Sequence, residues 1–224
     1  QLHALSSVED VERCFAPAPD ISFVVPFLNE RESLTILYNE IVHNCRQLGK
    51  SFEIIFVDDG SRDGGTQVVR DMATGDSRVQ LIRFRRNFGK SAALSAGFGA
   101  ARGDVVFSMD ADLQDDPAEI GNFLAQIDLG GDCVSGWKQV RNDPVDKTLP
   151  SRLFNATVNK AFGLNLNDHN CGFKAYRREA LAELDLYGEM HRFVPALLNA
   201  RGFAIAQIPV NHRARQFGTS KFGA

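Results

Sequence analysis

Four short apolar runs, each broken off by charge, proline or glycine, limit what this chain can fold into. The run at 52–57 (Phe-Glu-Ile-Ile-Phe-Val) stops at Asp58-Asp59-Gly60, and the run at 21–25 stops at Pro26. The runs at 79–84 and 105–109 lead into Arg85-Arg86-Asn87 and Asp110-Ala111-Asp112. Between them the apolar spacing is helical: Leu34, Leu37, Ile41, Cys45 and Leu48 recur every three or four positions. Further helices are expected at 65–73, in the alanine-rich 91–101 segment and after Pro117. Asn29 is expected to cap the first helix, with Glu32 reaching back. Strands alternating with helices predict right-handed crossovers and a mostly parallel α/β sheet. The near-continuous apolar strands fit a sheet covered on both faces. After about residue 130 the alternation weakens, and α+β material is expected to extend the sheet.

At 224 residues the chain suits one large domain over 21–224, preceded by a lead-in at 1–20. Apolar residues at 44% and charged residues at 24% exclude disorder, collagen and coiled coil. The net charge of −3 provides no global field for nucleic acid, so no nucleic-acid partner is expected. Cys14, Cys45, Cys133 and Cys171 form no CxxC pair, which suits reduced thiols better than disulfides or a zinc site. No apolar stretch reaches the ~18 to 20 residues of a membrane span, and the first twenty residues do not read as a signal peptide. The start at Gln1 and the abrupt basic end suggest a trimmed piece of something longer.

In an open parallel sheet, ligands bind outside the carboxyl ends of the strands, so chemistry is expected at 26–30, 58–63, 85–90 and 110–116. Five acids and no base lie between 110 and 119. Asp110 and Asp112 can reach one hard cation if the chain turns at Ala111; the other reading is an acidic turn with Asp116 capping the Pro117 helix. Asp58 and Asp59 can bind base or ribose hydroxyls, while Ser61 and Asp63 are equally good helix caps. Arg83, Arg85, Arg86 and Lys90 suit a diphosphate, or form a solvated basic loop. His212, Arg213, Arg215, Ser220 and Lys221 form a phosphate-gripping candidate, or a surface charge run. Around Asp168, His169 and Asn170 a base or orienting acid competes with a plain turn.

VVPFLNE (24–30), VDDGSRDG (57–64), RNFGKSAALSAGF (86–98), MDADLQDDP (109–117) and HRARQFGTSK (212–221) occur in this order. Together they resemble the inverting glycosyltransferases of family 2, particularly the dolichyl-phosphate mannosyltransferase and bacterial polyprenyl-phosphate glycosyltransferase branch. The resemblance implies a GT-A fold, with a nucleotide-sugar-binding half at 21–130 and an acceptor-binding half at 131–224. It also implies a GDP-mannose or UDP-hexose donor, Mg²⁺ or Mn²⁺ as cofactor, and a polyprenyl phosphate lipid as acceptor. Pro26, Leu28, Asn29, Glu30, Asp58, Asp59, Lys90, Asp110 and Ala111 would bind the nucleotide sugar. Asp110, Asp112 and Gln114 would hold the metal, and Arg213, Arg215, Ser220 and Lys221 the acceptor phosphate. Asp112, Asp168 and Arg152 would stand nearest the chemistry. A lipid acceptor implies work at a membrane surface, on the cytoplasmic face of the cell membrane, with C-terminal membrane helices in the parent. Two alternatives stay open: a saccharide hydroxyl acceptor, or a nucleotide-binding module without catalysis.

Overall fold

The structure is a computed structural model in which residues 17–138, 155, 157–182, 184 and 186–218 are described. The first half alternates as expected: β1 (Ile21–Phe27), α1 (Arg31–Leu48), β2 (Phe52–Asp58), α2 (Gly65–Gly75), β3 (Val79–Arg83), α3 (Lys90–Ala100) and β4 (Val105–Ser108). A 3₁₀ turn at Pro117–Glu119 leads into α4 (Ile120–Asp128), and β5 (Cys133–Lys138) follows. The second half adds β6 (Lys174–Arg177), α5 (Arg178–Leu181), a 3₁₀ turn at Met190–Phe193, α6 (Val194–Ala200) and β7 (Ile205–Val210).

The strands form one seven-stranded sheet in the order β3-β2-β1-β4-β6-β5-β7. β1 pairs in parallel with β2 and β4, and β2 with β3. β6 runs antiparallel to both β4 and β5, whereas β5 and β7 are parallel. The topology therefore reverses beside β4, and crevices outside strand ends at such a reversal are where ligands bind.

All seven residues of β2 are buried, the five apolar ones as their pattern requires and Glu53 and Asp58 with them. α1 buries Leu34, Leu37, Ile41 and Cys45 on one face, while Leu48 is left exposed as the helix runs out. On the same side of the sheet Phe107 stacks on Phe23 at 5.2 Å, and Phe123 meets Phe173 at 4.4 Å. On the other side, the small residues of α3 have a packing reason. A Cβ added at Gly97 would lie 2.2 Å from Val24 Cγ1, so only glycine lets α3 lie this close to β1.

The expected cap of α1 is different in the structure. Glu30 is the capping position, and the backbone carbonyl of Glu30 accepts from the Ser33 amide at 3.1 Å and hydroxyl at 2.8 Å. Asn29 instead adopts φ 53°, accepts from the Arg62 amide at 2.7 Å and donates its own amide to Ser61 Oγ at 2.9 Å. The competing demand of the 58–63 loop thus overrides the local capping signal. The cap expected at Asp116 is present, its side chain accepting from the Ala118 amide at 3.1 Å.

Candidate functional site

A cavity of about 410 Å³ opens at the carboxyl ends of β1, β2 and β4. Pro26, Leu28 and Glu30 supply one wall as the chain leaves β1, and Asp59 comes from the end of β2. Lys90, the first residue of α3, and Asp110, Ala111 and Asp112 beyond β4 form the floor. Asn170, His191, Arg192 and Arg215 reach in from the second half.

The acids are tied to particular partners. Lys90 Nζ lies 2.5 Å from Asp110 Oδ1, and Arg215 Nη2 lies 2.7 Å from Asp112 Oδ2. The same guanidinium reaches Glu30 Oε1 through Nη1 at 3.1 Å, so one tail residue joins the β1 and β4 loops. Burial pushes the Asp110 carboxyl up, but Lys90, with Lys138 and Lys174 behind it, holds it below the ordinary carboxylate value. Burial and the charge of Asp110 push Asp112 up against the pull of Arg215. Asp115 lies 3% exposed behind them, pushed up to about 6 by burial and by both neighbours.

These donors suit a divalent cation. Two carboxylates share one part-buried floor, and Asp112 is raised partly by its neighbour's charge, a repulsion that a second positive centre relieves. Hard oxygen donors in this number fit Mg²⁺ or Mn²⁺, which take one or two carboxylates and complete their shell with phosphate oxygens and water. Among the described residues no group of three or more His, Cys, Asp or Glu is set to hold a metal. A phosphate-bearing ligand would therefore have to contribute.

The other expected residues divide between the cavity and the scaffold. Asp58 is fully buried; its carboxylate accepts from the Ser61 amide at 2.7 Å and from the Thr66 hydroxyl, with Arg83 at 4.0 Å. Asp59 lines the cavity while accepting from the Phe88 and Gly89 amides at 2.7 and 3.0 Å. Both acids are thus met by protein donors. Of the four cations around Asn87, only Lys90 lines the cavity; Arg86 lies over the Phe88 ring at 4.3 Å. Asn29 borders a neighbouring groove with Phe217 and Gly218.

Arg213 is committed to the scaffold. Its guanidinium donates to both Glu40 oxygens at 2.9 and 2.8 Å and to the Leu113 and Asp115 carbonyls at 3.0 and 2.9 Å. With its amide on the Gln114 carbonyl at 2.9 Å, it straps the tail across the acidic turn. Gln114 stays outside the cavity lining, its side-chain amide 3.3 Å from His212 Nε2. Asp168 is 1% exposed and accepts from the Asn170 amide at 2.9 Å, which leaves Asn170 as the lining residue of that loop. Arg152, Ser220 and Lys221 lie outside the described residues. The described cysteines Cys45, Cys133 and Cys171 are free and buried, each thiol pushed up to about 12 by burial.

Sequence reasoning did not single out His191. Its signal, one histidine before Arg192 in a short 3₁₀ turn, becomes legible only when that turn is placed against α3. There the Ser91 hydroxyl lies 3.0 Å from its Nδ1.

The glycosyl transferase family 2 profile matches residues 22–185. Undecaprenyl-phosphate 4-deoxy-4-formamido-L-arabinose transferase from Pseudomonas fluorescens SBW25 is 40% identical over 209 residues, covering 93% of this chain and 61% of the relative. The transferase of the same name from Aeromonas hydrophila is 36% identical over 204 residues, covering 91% and 63%. The chain thus spans about six-tenths of the length of these curated relatives. Among solved structures, Mycobacterium tuberculosis glucosyl-3-phosphoglycerate synthase with Mg²⁺ and uridine diphosphate aligns with a TM-score of 0.68 at 22% identity, over 90% of this chain and 73% of that one. A mannosyltransferase from Pyrobaculum calidifontis with GDP-mannose and Mn²⁺ gives 0.63 at 21% identity, over 87% and 56%. The parallel half-sheet, the reversal at β4 and the acid-floored cavity are those of a GT-A fold, and the chain belongs to glycosyl transferase family 2.

Proposed function

We propose that this chain is the catalytic portion of an enzyme that moves a sugar from a nucleoside diphosphate to a polyprenyl phosphate. The observation that carries the reading is the floor itself, where Asp110–Lys90 and Asp112–Arg215 alternate charge at the carboxyl ends of the strands. The relatives named above for undecaprenyl phosphate and a formamido-arabinose point to the same acceptor class and to a modified pentose as one candidate sugar.

The apolar turn at Pro26 and Leu28, with Asp59 opposite, would receive the nucleoside. Asp110 and Asp112 would hold Mg²⁺ or Mn²⁺, which supplies positive charge to the diphosphate as it departs. Lys90 and Arg215 place further positive charge at the same floor and orient the diphosphate. A phosphate monoester oxygen is already anionic at neutral pH, so no strong base is needed to activate it. That oxygen attacks the anomeric carbon in line while the carbon–oxygen bond to the diphosphate breaks. One glycosyl phosphate ester and one nucleoside diphosphate result, with inversion at the carbon. The protein's task is positioning and electrostatic stabilisation.

Such an acceptor places the enzyme at a membrane surface, on the cytoplasmic face in our reading. Among the described residues no helix is long and apolar enough to cross a membrane. The test is transfer by the full-length protein with Mn²⁺, using labelled guanosine and uridine diphosphate sugars against short polyprenyl phosphate and a free oligosaccharide. Label in the lipid phosphate is the expected result. Label in the oligosaccharide would favour the saccharide-acceptor reading, and donor binding without turnover would favour a non-catalytic module.

A further inference from the structure

His191 belongs to the second half of the chain yet lines the cavity, reaching α3 across 100 residues of sequence. Its backbone amide donates to Ser91 Oγ at 3.1 Å, and its Nδ1 lies 3.0 Å from the same oxygen. Ser91 is 1% exposed, and a buried hydroxyl proton needs an acceptor. The Nδ1 nitrogen is the acceptor that the described residues place against it. Ser91 therefore accepts from the His191 backbone and donates to the ring, which leaves the ring proton on Nε2.

The surroundings favour a neutral ring. Burial first, then the charges of Lys90 and Arg192, push His191 down to about 3. A neutral imidazole in a residue that lines the cavity, with Nδ1 occupied by Ser91, keeps Nε2–H as its single donor. Its neighbours locate the acceptor. Lys90, adjacent to Ser91, grips Asp110 on the floor where the diphosphate is proposed to lie, and Asn170 and Arg192 line the same cavity from the second half of the chain. A sugar attached to a diphosphate on that floor would lie within reach of these lining residues.

Resting on the family 2 transferase reading above, we propose that His191 is a sugar-positioning residue, presenting Nε2–H from the Ser91-fixed ring to an oxygen of the transferred sugar. A hydroxyl or a carbonyl substituent serves equally as acceptor. The ring orients the anomeric carbon for in-line attack and takes no proton itself.

The experiment uses the full-length protein, with ¹⁵N-histidine NMR and steady-state kinetics on the donor active in the transfer screen. The wild-type ring is expected to show the Nε2–H tautomer, and its ¹⁵Nε2 signal to move on adding nucleotide sugar but not nucleoside diphosphate alone. His191→Leu is expected to lower kcat about tenfold at saturating substrates, the scale of one lost hydrogen bond, while His191→Gln, which keeps a donor near Nε2, stays within about threefold. Ser91→Ala is expected to release the tautomer preference. A wild-type Nδ1–H tautomer, a signal that responds to nucleoside diphosphate as much as to nucleotide sugar, or equal kcat in wild type and His191→Leu would overturn the proposal. A rise in the lipid-phosphate KM alone would transfer His191 to the acceptor and also overturn it. Failure of the transferase reading is distinguishable: the wild type would then transfer nothing to lipid phosphate, while the ¹⁵Nε2 response to nucleotide sugar still decides the role of His191.

Discussion

Arg215 joins Asp112 and Glu30 through one guanidinium, at 2.7 and 3.1 Å, although 103 and 185 residues of chain separate it from them. The tail thereby closes the cavity between the β1 and β4 loops. Removing this arm as Arg215→Ala leaves two part-buried carboxylates without their cation and, on the proposed reading, the diphosphate without a charged donor. A charge-assisted hydrogen bond is worth about 1.5 to 3 kcal/mol, so kcat/KM for transfer should fall roughly ten- to a hundredfold. Steady-state kinetics with both substrates varied is the check, and unchanged kinetics would reduce Arg215 to a structural strap.

Asp112→Asn keeps the shape of the floor but removes one of the two carboxylates assigned to the cation. Transfer should be lost. The stabilisation that Mn²⁺ and nucleoside diphosphate together give the wild type should shrink towards zero. Ligand at about 100 times its dissociation constant adds ~2.7 kcal/mol, so the wild-type shift is measurable by thermal melting. A chelator should abolish the same shift. A variant that still melts higher with metal and nucleotide would remove Asp112 from the metal site.

Gly172 has a job that its neighbours in sequence do not reveal. A Cβ there would lie 2.4 Å from Asp110 Oδ2, and the Gly172 carbonyl accepts from Ser108 Oγ at 2.8 Å. Gly172→Ala should therefore displace the Asp110 carboxylate rather than unfold the chain. Turnover should drop by at least about tenfold, with a higher Mn²⁺ requirement, while the melting temperature changes by only a few degrees. Turnover at the wild-type level would show that the Asp110 carboxylate tolerates the shift.

The first half of the fold was legible because β1 and β2 are almost wholly buried and α1 carries one apolar side, so period and length agree there. The cavity position followed from strand ends alone, and Asp110, Asp112 and Lys90 do meet there. What the sequence did not disclose is how the carboxylates and guanidiniums are shared out. Asp58 and Asp59 look alike on paper, yet Asp58 is taken up by Ser61 and Thr66, whereas Asp59 lines the cavity. Arg213 and Arg215 differ in the same way: Arg213 is taken up by Glu40 and the acidic turn, whereas Arg215 lines the cavity. Such partners lie up to 185 positions away, beyond any local pattern.

That division predicts that Arg213 acts through stability. Its four hydrogen bonds hold the tail to Glu40 and to the acidic turn. Arg213→Ala should cost about 2 to 4 kcal/mol, because it strands a part-buried carboxylate and two carbonyls. At about 2 to 4 °C per kcal/mol for a chain of this size, the melting point should fall by roughly 4 to 16 °C. The lipid-phosphate KM of the folded fraction should stay near wild type. A raised KM with an unchanged melting point would return Arg213 to the acceptor site.

Asp76 predicts a pH dependence far from the site. Arg78 donates to it through Nε at 2.9 Å and Nη2 at 2.7 Å, and Tyr38 donates its hydroxyl at 2.7 Å. Arg78 holds the Asp76 carboxyl well below its ordinary value of 3.8, against the opposing effect of burial. A depressed carboxylate contributes stability that is fully present above the unfolded value near pH 4 and is lost as pH falls through the folded value. Arg78 is 34% exposed, so solvent reduces the contribution to about 1 to 2 kcal/mol. Asp76→Asn should therefore melt about 2 to 8 °C below wild type at pH 7. The gap should hold down to about pH 5 and close progressively below about pH 4, as wild-type Asp76 is protonated. Melting curves of both proteins between pH 7 and pH 2.5 provide the check. A gap that stays constant across that range would mean the Asp76 charge contributes nothing, and that the variant is destabilised by packing alone.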